Sequence, residues 1–182
     1  TDRMSEALMT GREYVGSGCL TRLKEVLEAE KPSSIFLVTG KVSYGQSGAQ
    51  RVIEPLLSGY KVTYFSDFSV NPQLEDLEKG ISLYQQAGCD LVIAVGGGSV
   101  IDIAKSIHLL AAQPGEAEKY ITKELTPFHK PKPFIAIQKA KDKVKEVKEV
   151  NECGIRVRSE IEFADKDMME AYKKEKRIRT LS

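Results

Sequence analysis

The chain has 182 residues, of which 41% are hydrophobic and 29% charged, and its formal net charge is +1. Such a chain is long enough to bury a core without disulfide or metal staples, and its composition excludes collagen-like and disordered classes. A charge this close to zero provides no general field for nucleic acid, and no apolar run approaches the roughly 18 residues of a membrane span.

In chain order, the first eighteen residues lack the basic-then-apolar order of a signal peptide. Ser34-Ile35-Phe36-Leu37-Val38-Thr39 reads as a short buried strand ending at Gly40, and Ser47 to Leu57 as a helix. Lys61 to Phe65 is a second strand. Asn71-Pro72 is expected to open a helix in which Leu74, Leu77, Ile81 and Tyr84 recur at helical spacing up to Gly88. Asp90-Leu91-Val92-Ile93-Ala94-Val95 is apolar nearly throughout, as a strand covered on both faces would be. A helix from Val100 to about Ala112 and a fourth strand at Phe134 to Ile137 follow. Strands alternating with helices predict an α/β fold, a doubly wound, Rossmann-like parallel sheet.

The composition changes near Gln138. All seven prolines lie at or before Pro133, and residues 139–182 carry 13 basic and 10 acidic side chains, a net +3 against −2 for residues 1–138. Two units are therefore expected: a ligand-binding α/β domain over 1–138 and a charged, β-rich segment over 139–182 packed on it as a small antiparallel appendage. Within the second, Cys153, Ile155 and Val157 alternate in a strand-like way, and the valines of 143–150 mildly favour a helix. Cys19, Cys89 and Cys153 form neither a disulfide framework nor a CxxC metal pair, and a reducing, cytoplasmic setting is expected.

The most informative segment is Val95-Gly96-Gly97-Gly98-Ser99 between a strand and a helix. Glycines let a backbone approach a phosphate closely, and the free N–H groups and dipole of a helix start favour an anion. Ser99 is placed to cap the helix and to donate to a phosphate oxygen. The spacing is neither GxGxxG nor a P-loop. The plain alternative is a tight turn without a ligand, with Asp102 complementing the helix dipole and Lys41, upstream, a solvated loop lysine.

Gly96-Gly97-Gly98-Ser99-Val100-Ile101-Asp102-Ile103-Ala104-Lys105 resembles the GGGSxxDxAK signature of iron-containing (group III) alcohol dehydrogenases, and the likeness extends over residues 14–137. It includes Gly16-Ser17-Gly18, Asn71-Pro72 and Lys132-Pro133-Phe134, while Gly40-Lys41-Val42-Ser43-Tyr44 is similar to the branch that reduces small aldehydes. The resemblance implies a dinucleotide-binding domain in which Gly97, Gly98 and Ser99 wrap the pyrophosphate, Gly40, Lys41 and Ser43 flank the adenosine ribose, and Gly96 and Asp102 belong to the same cofactor site. Many NAD-preferring members have Asp where Gly40 stands; without that carboxylate a 2′-phosphate is not repelled, and Lys41 is available to pair with it. The cofactor expected is NAD or NADP, weakly held.

The family's Pro-Thr-Thr-Ala-Gly-Thr-Gly-Ser-Glu loop is replaced by Gln138-Lys139-Ala140-Lys141-Asp142, and the family's Asp and three His metal ligands have no matching positions. His108 is expected at the core edge or surface, and His129 in a loop. No metal and no catalytic residue are expected, hence cofactor binding without turnover. The tail, in Glu152-Cys153-Gly154-Ile155, Asp167-Met168-Met169-Glu170-Ala171-Tyr172 and Arg179-Thr180-Leu181, resembles the C-terminal end of bacterial translation initiation factor two. That likeness implies strands near 143–150, 153–158 and 168–179 and a chimera, natural or engineered. The alternatives are a structural fusion without activity of its own and a weak RNA- or ribosome-binding module; a membrane partner is not expected, nucleic acid is disfavoured by the weak charge, and cut edges favour self-association.

Overall fold

Strand β2 (Ser34–Thr39) is buried along its whole length. Alternation sends Ile35 and Leu37 to one face of the sheet and Phe36 and Val38 to the other. A strand apolar on both sides needs helices on both sides. The computed structural model describes residues 11–122, 129, 132–139 and 152–158. In it, β1 (Gly11–Ser17) leads through a 3-10 turn at Cys19–Thr21 into α1 (Arg22–Glu30) and then β2. Two short helices, α2 (Ser43–Gln46) and α3 (Ala49–Leu57), precede β3 (Lys61–Phe65) and α4 (Leu74–Ala87). Next come β4 (Leu91–Val95), α5 (Gly98–Leu110), α6 (Ala117–Ile121), β5 (Phe134–Lys139) and β6 (Glu152–Arg158).

The sheet order is β1-β6-β5-β4-β2-β3. Strands β3, β2, β4 and β5 are parallel, as the alternation of strands and helices requires. Strand β6 runs antiparallel to both neighbours, pairing Ile155 with Ile137 of β5 and with Tyr14 of β1. The strand expected around Cys153-Gly154-Ile155 thus stands inside the sheet. The expected helix at 143–150 and strand at 168–179 lie outside the described residues.

The core has two layers. Leu23, Val26 and Leu27 of α1 and Ile53 and Leu57 of α3 cover Ile35, Leu37, Ile93 and Ile135. On the opposite face, Leu77 of α4, Ile103 and Ile107 of α5 and Tyr120 of α6 cover Phe36, Val38, Val92 and Phe134. The Tyr84 ring meets Phe36 edge-on, with centroids 5.2 Å apart.

Three local expectations need correction. The helix expected over Ser47 to Leu57 is present but starts at Ala49, because its N-cap Gly48 adopts φ 79°, and the short α2 before it was not expected. The helix expected to open at Asn71-Pro72 starts at Leu74; the Asp76 carboxylate accepts the Gln73 N–H at 3.0 Å and the Ser69 hydroxyl at 2.8 Å, which fixes the entry one step later. Asp90 lies just before β4, where its carboxylate accepts the N–H groups of Ser33 and Ser34, each at 3.0 Å. That ties the starts of β2 and β4 together.

Candidate functional site

The carboxyl ends of β4 and β2, neighbours in the sheet, carry the two turns singled out by the sequence. In the first, the Gly96 N–H donates to the Ile137 carbonyl at 3.0 Å, closing the turn against the end of β5. A Cβ on Gly96 would lie 2.6 Å from Val100 Cγ2, so glycine is required there by packing. Gly97 and Gly98 differ. Gly97 has φ −81° and ψ −171°, a conformation open to any residue. A Cβ on Gly97 or Gly98 would meet no protein atom within 4 Å, and both residues are exposed. Neither packing nor, at Gly97, backbone conformation accounts for glycine, whereas an anion lying against the backbone would.

Gly98 opens α5, whose first turn contains no acidic residue. The positive end of the helix dipole is therefore not offset by a carboxylate of its own first turn. Ser99 is exposed inside that turn. It does not cap the helix as expected: the N-cap position belongs to Gly97, whose carbonyl accepts the Ile101 N–H at 3.1 Å. Asp102 lies one turn further along α5 and is exposed.

The second turn brings Gly40, Lys41 and Ser43 beside the first. The methyl Cγ2 of Val100 would lie 3.7 Å from a Cβ on Gly40, and that Cβ would overlap Ser43 Oγ. Position 40 therefore has no room for a side chain while Ser43 keeps its place. Lys41 is not a lone cation: its Nζ lies 3.6 Å from Asp67 Oδ1, just past the end of β3, with both side chains exposed.

The sequence reading missed three features. Asp67 is one, and its signal was its position two residues beyond a strand adjacent to β2. Glu54 is the second. It accepts the Tyr44 phenol at 3.2 Å and the Tyr64 phenol at 2.7 Å, pinning α2 to α3 and to β3 behind the Lys41 turn. Burial and the Glu54 carboxylate push the Tyr44 phenol up; the hydrogen bond to Glu54, then burial, pushes Tyr64 up to about 12.

His108 is the third feature, and it corrects an expectation. It is 1% exposed, not at the core edge or surface, because its face of α5 packs on Phe134, with ring centroids 5.2 Å apart. Its Nε2 hydrogen-bonds the Lys132 carbonyl, which can only accept, so Nε2 carries the proton. Nδ1 is buried and has no hydrogen-bond partner among the described residues. Burial pushes the imidazole down to about 4 against the opposing pull of that carbonyl. The His129 N–H donates to Gln113 Oε1 at 2.9 Å, and its carbonyl accepts from Gln113 Nε2 at 2.8 Å. Among the described residues, no group of three or more His, Cys, Asp or Glu is placed to hold a metal ion. No helix among them is long and apolar enough to cross a membrane.

Residues 11–138 match the family of iron-containing alcohol dehydrogenases. A long-chain primary alcohol dehydrogenase of Thermoanaerobacter ethanolicus is 33% identical over 129 residues, covering 68% of this chain and 32% of that protein. A 4-hydroxybutyrate dehydrogenase of Cupriavidus necator is 37% identical over 111 residues, covering 61% of this chain and 29% of its own length. The chain thus spans about a third of the curated relatives it matches. Among solved structures, a sulfoacetaldehyde reductase of Bifidobacterium kashiwanohense in complex with NAD+ superposes with a TM-score of 0.59 at 28% identity, covering 66% of this chain and 32% of that one.

Proposed function

Because the chain belongs, through residues 11–138, to the iron-containing alcohol dehydrogenase family, we propose that this domain binds the dinucleotide of an alcohol–aldehyde oxidoreductase. The observation that carries the reading is the pair Gly97 and Gly98, exposed at the start of α5 with open space where side chains would stand. The first-turn N–H groups of α5 have no intrahelical acceptors and take the pyrophosphate. Gly96 and Val100 hold those groups in position, and the Gly40–Ser43 turn receives the adenosine ribose. The nicotinamide, when bound, supplies the hydride acceptor or donor.

Iron does not fit the described residues. His108 spends Nε2 on a backbone carbonyl inside the core, and the side chains that bind metals do not converge. His108 and His129 are the chain's two histidines, and the segment after Ile137 lacks the family's nicotinamide loop. We therefore propose cofactor binding without alcohol turnover by this chain.

A second reading concerns the tail. The family match stops at residue 138, yet β6 continues the sheet. We propose on this ground a chimera in which the sequence from 139 onward is a translation-factor-like segment, of which the described strand β6 pairs between β1 and β5.

Calorimetric titration of the full chain with NAD and NADP tests the first reading. Saturable binding between micromolar and millimolar affinity is expected, lost in Gly97→Val because the side chain takes the phosphate's place. A wild-type chain with no saturable heat, or a Gly97→Val variant that binds as before, sinks it.

A further inference from the structure

We propose that Asp67 sets the coenzyme selectivity of this site, occupying Lys41 and repelling a 2′-phosphate so that NAD is taken in preference to NADP. This rests on the dinucleotide reading above and deepens it.

The sheet order places three βα turns side by side at the carboxyl edge: the glycine turn after β4, then Gly40 after β2, then Asp67 after β3. In doubly wound folds the pyrophosphate sits on the first of such turns. The ribose 2′-hydroxyl is read by an acidic residue at the end of the adjacent strand. Gly40 holds that place here and, having no side chain, cannot supply the acid. The negative charge comes instead from one strand further out. In the parallel register Val38 faces Phe65, so Gly40 and Asp67 each stand two residues past the last paired position. The Asp67 carboxylate lies 3.6 Å from Lys41 Nζ.

Taken alone, Lys41 would attract a 2′-phosphate. With Asp67 beside it the local charge is balanced, and a phosphate dianion entering there meets a carboxylate. A ribose hydroxyl meets an acceptor. Asp67 and Lys41 are 81% and 74% exposed, so their pairing contributes little to folding and either can be changed without harm to the core.

The test is titration of the full chain with NAD and with NADP, for wild type, Asp67→Asn, Lys41→Ala and the double variant, with thermal melts to show that each is folded. Wild type is expected to favour NAD. Asp67→Asn should strengthen NADP binding about five- to tenfold, the size of one solvent-exposed charge contact at this distance, and weaken NAD binding by a smaller factor, since the amide oxygen still offers the ribose hydroxyl an acceptor. The gain should shrink when Lys41→Ala is added, leaving only the part that comes from relieved repulsion. A wild type that binds NAD, with NADP binding unchanged in Asp67→Asn, overturns this proposal and leaves the dinucleotide reading standing. So does a wild type that favours NADP, or a gain of the same size with and without Lys41. A wild type that binds neither overturns both.

Discussion

Val100 packs against Gly96 so closely that a single added methyl group on the glycine would stand 2.6 Å from Val100 Cγ2. The same valine methyl faces Gly40, so one side chain in the first turn of α5 sets the spacing of the turns after β4 and β2. The three glycines in a row therefore differ in role. Gly96 serves the protein's own packing, and Gly97 and Gly98 leave space that the protein does not use.

That difference is measurable. Gly96→Ala is expected to destabilise the fold by about 1–3 kcal/mol through overpacking against Val100. Gly97→Ala and Gly98→Ala are expected to be neutral or to stabilise by up to about 1 kcal/mol, because they restrict the unfolded chain in conformations alanine adopts. Dinucleotide affinity should fall in the latter two even so. Urea unfolding beside a binding titration separates the effects. Equal destabilisation by all three would show that packing alone accounts for the glycines.

His108 makes stability depend on acidity. Its folded pKa of about 4 lies below the ordinary 6.5, so the unfolded chain binds the proton more readily than the folded one. The contribution is full above pH 6.5 and is lost as pH falls from there towards 4, amounting to about 3 kcal/mol across that window. Unfolding free energies measured at pH 7.5, 6 and 5 should decline accordingly. His108→Phe should flatten that slope; a slope unchanged in the variant would place the titrating group elsewhere.

Glu54 joins Tyr44 and Tyr64, and its removal should be felt at both. Glu54→Gln is expected to cost about 1–2 kcal/mol, since charge-assisted hydrogen bonds are replaced by neutral ones. Tyr64 titrates at about 12 in the folded chain against 10 for an ordinary tyrosine. The neutral phenol is thus favoured by folding, and that contribution is intact below pH 10 and fades as pH rises through 12. Ultraviolet titration of the phenols should show late ionisation in wild type and an earlier phase in Glu54→Gln. Identical curves would mean that Glu54 does not hold the phenols.

Strand β6 lies between β1 and β5, with ladder partners on both sides from Cys153 to Arg158. Amides of residues 152–158 should exchange with solvent far more slowly than in a random coil, by at least about a hundredfold. Coil-like exchange there, with β4 and β2 still protected, would show that this strand does not complete the sheet.

The α/β class and the four parallel strands were legible in the order of residues. Runs such as Ile35-Phe36-Leu37-Val38 and Val92-Ile93-Ala94-Val95 can be buried on both faces only in a sheet covered by helices. The glycine turn was legible for the same reason: its chemistry is local, one strand end joined to one helix start. The tertiary structure alone decided which glycine serves packing, because that depends on where Val100 points. It also decided that Lys41 meets Asp67, a carboxylate twenty-six positions away brought near by the pairing of β2 with β3. His108 carried no signal in its neighbours in sequence; its burial follows from Phe134 and the Lys132 carbonyl, which only the docking of β5 beside β4 brings to it. Spacing along a chain reports periodicity and local turns, whereas charge pairing and burial depend on contacts between residues that the fold alone makes neighbours.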